Sequence, residues 1–166
     1  MAVVPSDADT NDEGVASRRR DRKTHLKAMV DCEFLGDRFD DDILAISIVL
    51  FERPARVMTN VQQAVKGSIT VRTKLPTDWE SRGSLETVHW FKSTVPGLLA
   101  WLKSPGAFPP REAAVKVADF VRRVQSKHRV WWMAKPSFVD LGRMCAWMCK
   151  HLGSDAPTLG FHGSCL

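Results

Sequence analysis

Hydrophobic and polar positions along this chain fall into stretches of two different periods. From His25 onward, Leu26, Ala28 and Val30 alternate with Lys27, Met29 and Asp31, the two-residue pattern of a strand with one buried face. Gly36 and the polar run Asp37 to Asp42 predict a turn. Ile43 to Phe51 is then almost unbroken apolar and rich in β-branched residues, the composition of a central strand covered on both faces. Pro54 ends that run, and Val57–Val61 and Ser68–Arg72 are weaker strand candidates. The period then lengthens. Ser84 to Ser93 reads as a helix opened by a Ser84 cap and carrying Leu85, Val88, Trp90 and Phe91. Val95 to Lys103 is a second short helical segment, stopped by Ser104-Pro105-Gly106. Pro109-Pro110 followed by Glu112 open a longer helix, in which Ala113, Val117, Phe120, Val121 and Val124 recur at three and four residues up to about Gln125. Arg129 to Ala134 reads as a short strand. Ser137 to Leu152 reads as a last helix with Phe138, Leu141, Cys145, Met148 and Leu152 on one side and Gly153 as its stop. This order predicts an α/β fold, a mixed sheet covered by helices.

Composition narrows the class. With 166 residues, 44% hydrophobic and 26% charged, the chain suits one globular domain. Residues 1–24 hold five basic and five acidic side chains and almost no large apolar one, so a disordered charged tail is expected there and a single domain over 25–166. The whole net charge of +5 then sits on the domain, a balance compatible with a polyanionic partner. The longest uncharged apolar run, Ile43 to Phe51, is too short to span a bilayer, and the start of the chain shows no signal peptide; a cytoplasmic address is expected, that of the host cell if the protein is viral.

The four cysteines do not make a disulfide scaffold. Cys145 and Cys149, one helical turn apart with His151, His162 and Cys165 nearby, could hold zinc, but Cys145 shares an apolar stripe with Met148 and reads better as core. Trp131 and Trp132, beside Lys127, Arg129 and Lys135, could stack on bases and hold phosphates, although at least one of the two belongs in the core. Lys135 and Arg143 read as phosphate contacts or as solvated surface.

Three carboxylates could carry chemistry. Asp31 and Glu33 lie two residues apart in a strand, so both project from one face. Their mutual repulsion is relieved either by solvent at an open edge or by a divalent cation, for which carboxylate oxygens are suitable ligands. Asp140 follows a strand and a turn and falls in the first turn of a helix. There Ser137-x-x-Asp140 also reads as a capping box, favoured by the helix dipole.

Taken together, these stretches resemble the DEDD 3′–5′ exonucleases, more specifically the branch of phage exonucleases and the mycobacterial 3′–5′ exoribonuclease-like domain. Val30-Asp31-Cys32-Glu33-Phe34-Leu35-Gly36, followed by Ile43 to Ile48, is similar to the first motif of that family. The branch continues with Thr-x-x-Trp-Trp on a helix; here Thr87-Val88-His89-Trp90-Phe91 follows the polar-Gly lead-in Trp79 to Gly83. Trp132 to Asp140 is similar to the second motif, with Val139 standing between Phe138 and Asp140 where the branch has Phe and Asp adjacent.

The resemblance covers residues 26–150 and implies an RNase H-like fold and hydrolysis of RNA or DNA from a single-stranded 3′ end. It implies that Asp31, Glu33 and Asp140 are both catalytic and metal-binding, holding two Mg²⁺ or Mn²⁺ ions. Contacts to nucleic acid are expected from Phe34, Leu35, Trp90 and Lys135, and a homo-oligomer is left open. The family also uses a fourth Asp on a C-terminal helix, with a Tyr or His to orient or deprotonate water. This chain has no Tyr, and the partner of the late candidate His162 would fall at position 167. The expectation is therefore a domain incomplete at its C-terminus and lacking that helix. The alternative is a catalytically silent RNase H-like nucleic-acid-binding module without the fourth Asp and the general base.

Overall fold

The structure, a computed structural model, describes residues 23–39, 41–52, 65–134 and 137–159, with the side chains of residues 137 and 138 left aside. Most of the predicted tail, the candidate strand Val57–Val61, Lys135, His162 and Cys165 lie outside the described residues. The elements run β1 (Thr24–Phe34), β2 (Ile43–Glu52), β3 (Val65–Arg72), α1 (Trp79–Arg82), α2 (Leu85–Ser93), α3 (Pro96–Lys103), α4 (Pro110–Lys127), β4 (His128–Ala134) and α5 (Ser137–Leu152), then a 3₁₀ turn at Gly153–Asp155. The fold is α/β, as expected. The sheet has the order β3-β2-β1-β4. β1 pairs antiparallel with β2 and parallel with β4, and β2 pairs antiparallel with β3, so the sheet is mixed.

The alternation in β1 decides which face is covered. Leu26, Ala28, Val30 and Cys32 are buried, and their partners Leu50, Ile48 and Ile46 on β2 point the same way. Trp132 on β4 and Val71 on β3 complete this face. Against it pack Ala113, Val117, Val121 and Val124 of α4 and Leu141, Met144 and Met148 of α5, forming the main core. α4 is amphipathic as its sequence predicts, and every residue of the proposed stripe is buried. A smaller core closes the end of the sheet where β1 finishes and β2 starts. There Leu35, Leu44 and Ala45 meet Trp79 of α1, Phe91 of α2 and Leu102 of α3, with Trp79 and Phe91 edge-to-face at 6.2 Å.

Four sequence expectations need correction. β1 starts at Thr24, inside the proposed tail, where Thr24 Oγ1 lies 2.5 Å from His128 Nδ1 of the neighbouring strand. β2 is covered on both faces only over Ile43–Ile46; beyond that point Ser47, Val49 and Phe51 are half-buried, because no helix among the described residues covers their face. β3 begins at Val65, three residues before the predicted start. The polar lead-in Trp79 to Gly83 holds a helical turn, α1, which places Trp79 in the smaller core.

The caps follow the sequence. Ser84 accepts a hydrogen bond from the Thr87 N–H at 3.1 Å, and Gly153, with φ of +59°, ends α5 in the left-handed region. Among the described residues no helix is long and apolar enough to cross a membrane.

Candidate functional site

β1 and β4 lie side by side and run the same way, their last paired residues being Val30 and Ala134. Chain order reverses here: β1 leads to β2 and β3 on one side, and β4 returns on the other. In open α/β sheets such a point leaves a crevice beyond the carboxyl ends of the strands, where ligands bind. Asp31 and Glu33 occupy that end of β1, and α5, which follows β4, carries Asp140.

The two-residue period of β1 separates the side chains. Asp31, opposite Ser47, and Glu33, opposite Ala45, project from the face away from α4 and α5. Asp31 is exposed and Glu33 half-buried. Cys32 between them points into the main core, where its Sγ donates to the main-chain carbonyl of Asp140 at 3.9 Å. Asp140 itself is only 5% exposed.

The three acids share one electrostatic neighbourhood. Burial, then the charges of Asp31 and Asp140, push the Glu33 carboxyl above its ordinary range. Burial, then Asp31, push Asp140 up to about 6, with the Arg143 guanidinium working against them. The Cys32 thiol is driven well above its ordinary value, first by burial and then by Asp140, Asp31 and Glu33. Sequence motifs more than a hundred residues apart are thus close enough to repel. Among the described residues, however, no three His, Cys, Asp or Glu side chains meet closely enough to enclose a metal ion.

Arg143 fixes this corner. It is buried, one turn after Asp140, and donates to the carbonyls of Gly36, at 2.9 Å, and Asp37. Its guanidinium lies over the Phe34 ring, 4.3 Å from the centroid. Arg143 therefore ties α5 to the turn that leaves β1, and with both nitrogens on carbonyls it is no phosphate contact at the surface. At Gly142 a side chain would meet the Phe39 ring at 3.1 Å, so helix and turn approach closely there. Asp42, at the end of the same turn, pairs with Arg82 and, at 3.7 Å, with Lys150 of α5.

The expected nucleic-acid contacts divide. Leu35 is a correction: at 2% exposure it is packed into the smaller core and has no surface to offer a nucleotide. Phe34 is half-buried beneath Arg143. Trp90 is exposed, its ring edge-on to Phe91 at 5.1 Å. Of the two neighbouring tryptophans, Trp132 is core and Trp131 is 38% exposed on the other face. Cys145 is half-buried and packs against the main core, and burial, then Cys149, raises its thiol to about 11.

Two clefts of about 500 and 550 Å³ lie elsewhere. One is bounded by Lys74, Trp79 and Lys103, the other by Glu52, Lys66, Arg123 and Lys127; neither is lined by the three acids. No family model matches the chain, and no curated protein matches it.

Proposed function

We propose that this chain is a 3′–5′ exonuclease domain of RNase H-like fold that hydrolyses phosphodiester bonds of RNA or DNA. The mixed sheet in the order β3-β2-β1-β4 is compatible with that fold. The observation that carries the reading is the convergence of charge: beside burial, Asp31 of β1 raises the proton affinity of Glu33 and of Asp140 on α5, and Asp140 raises that of Glu33 as well. Carboxylates that repel at a partly buried site gain most from a divalent cation, and hard oxygen donors suit Mg²⁺ or Mn²⁺.

Asp31, Glu33 and Asp140 would hold the cations. Bound there, a pair of such ions supplies an activated water and offsets charge on the leaving 3′ oxygen. The chain's own part is positional. Strand β1 presents two acids from one rigid face, while Cys32 and Arg143 hold the start of α5, and so the third acid, beside it.

A second reading, the catalytically silent nucleic-acid-binding module, is favoured by one observation, the absence of a closed three-ligand cage among the described residues. A cleavage assay on end-labelled single strands separates the two. The nuclease reading expects shortening from the 3′ end with Mn²⁺, abolished by chelation and in Asp31→Ala and Asp140→Ala. Strand binding without cleavage above the level of those variants would establish the silent module instead.

A further inference from the structure

The sheet face opposite α4 and α5 is built in rows. Nearest the site, Asp31 stands beside Ser47 and Thr70. The next row is Met133, Met29, Val49 and Ser68, and the one below it is Trp131, Lys27, Phe51 and Val65. His25 and Arg129 pair at the far end. None of these side chains is buried, and neither core cluster includes them. Met29 and Trp131 are among the exposed large hydrophobic residues of the chain. Below Asp31 the described residues of this face include no acid, and Lys27 and Arg129 make no ion pair among the described residues.

We infer that this face is the track along which a single-stranded nucleic acid lies, its bases on Trp131, Met29 and Met133 and its phosphates on Lys27 and Arg129. The inference rests on the nuclease reading only in placing the strand's 3′ end at Asp31 and Glu33. The charge pattern selects the occupant: two cations with no acid between them, on a domain that carries the chain's excess of positive charge, suit a polyanion. The apolar row selects a single strand over a duplex. A duplex presents phosphates and hides its base faces, whereas unstacked bases can lie on an exposed aromatic ring. The length also fits. Asp31 and His25 are six residues apart, roughly 20 Å of strand, near the lower end of the ~4–16 nucleotides that single-strand-binding folds cover.

The test is fluorescence anisotropy of a labelled short oligothymidylate or oligouridylate with the full chain in EDTA, where hydrolysis plays no part. Binding is expected, weakening as salt is raised. Trp131→Ala should weaken it about tenfold, Trp131→Phe should retain most of it, and Lys27→Glu with Arg129→Glu should weaken it and flatten the salt dependence. Circular dichroism checks that each variant is folded. No binding by the parent chain, or parental affinity in folded Trp131→Ala and in the double variant, overturns the inference. So does a concentration-dependent dimer that Trp131→Ala dissolves while oligonucleotide affinity is unchanged. If Trp131-dependent binding is found but Mn²⁺ supports no cleavage, the track stands and only the nuclease reading falls. If cleavage occurs and the Trp131 variants bind normally, the reverse holds.

Discussion

The Cys32 thiol and the main-chain carbonyl of Asp140 lie 3.9 Å apart in the main core. This contact joins the strand that bears two acids to the helix that bears the third. It also makes the middle residue of Asp31-Cys32-Glu33 a structural one: the outer two face the open side of the sheet while Cys32 fastens the inner side.

Thiol chemistry should reveal this arrangement. Cys32 is buried and its proton is held tightly, whereas Cys149 is exposed. Because the thiolate is the reactive form, an alkylating reagent should label Cys149 in the native chain and reach Cys32 only on unfolding. Peptide mass spectrometry after brief labelling reads the order directly; native Cys32 labelled as fast as Cys149 would contradict the packing.

The raised acids predict a pH dependence with a definite sign. Unfolded Asp and Glu ionise near ~3.9 and ~4.3, while in the folded chain Asp140 is held up to about 6 and Glu33 is raised as well. Between those values the folded state binds more protons than the unfolded one, so the contribution of these acids to stability falls as pH rises through the window. His151, lowered chiefly by burial and then by Lys150, acts in the opposite direction, so a difference between two chains is the quantity to read. Any gain in Tm of Asp140→Asn over the parent should grow between about pH 4 and about pH 6 and level off above that. A difference independent of pH, or one that shrinks, would show that Asp140 is not held protonated.

Arg143 should matter for stability well beyond a surface cation. Its removal leaves the Gly36 and Asp37 carbonyls without their donor and uncovers the Phe34 ring. Arg143→Ala is expected to cost about 3 kcal/mol in denaturant unfolding, and Arg143→Lys most of that, since an ammonium cannot reproduce the fork that spans two carbonyls. A loss below about 0.5 kcal/mol for Arg143→Ala would match an ordinary surface site instead.

Much of the fold was legible because its signals are local. The alternation of Leu26, Ala28 and Val30, the stripe from Ala113 to Val124 and the Ser84 cap each lie within one element and describe its own geometry. What escaped reading depends on partners far along the chain. The run Ile43 to Phe51 looks equally apolar throughout, yet only its first four residues are covered on both sides, because the helices that could cover the rest pack elsewhere. Arg143 has the composition of a surface cation and is buried because its acceptors lie more than a hundred residues upstream. Leu35 sits beside the acids in sequence but turns into the smaller core. The candidate acids were visible as a strand pair and a helix start, but their closeness could come only from the parallel pairing of β1 with β4.

The smaller core permits a paired test within one helix. Phe91 is fully buried against Trp79, while Leu85, six residues earlier in α2, is 88% exposed. Phe91→Ala is expected to lose about 3–5 kcal/mol of unfolding free energy and Leu85→Ala less than about 0.5 kcal/mol. Equal losses in chemical denaturation would mean that α2 packs through another face.

Direct titration of Mn²⁺ into the chain, by calorimetry at neutral pH, bears most immediately on whether Asp31, Glu33 and Asp140 form one cation site. A shared site predicts saturable binding that is lost in Asp31→Asn and equally in Asp140→Asn, although the two residues are more than a hundred positions apart. Saturable binding that survives both substitutions, or none in the parent chain, would contradict it.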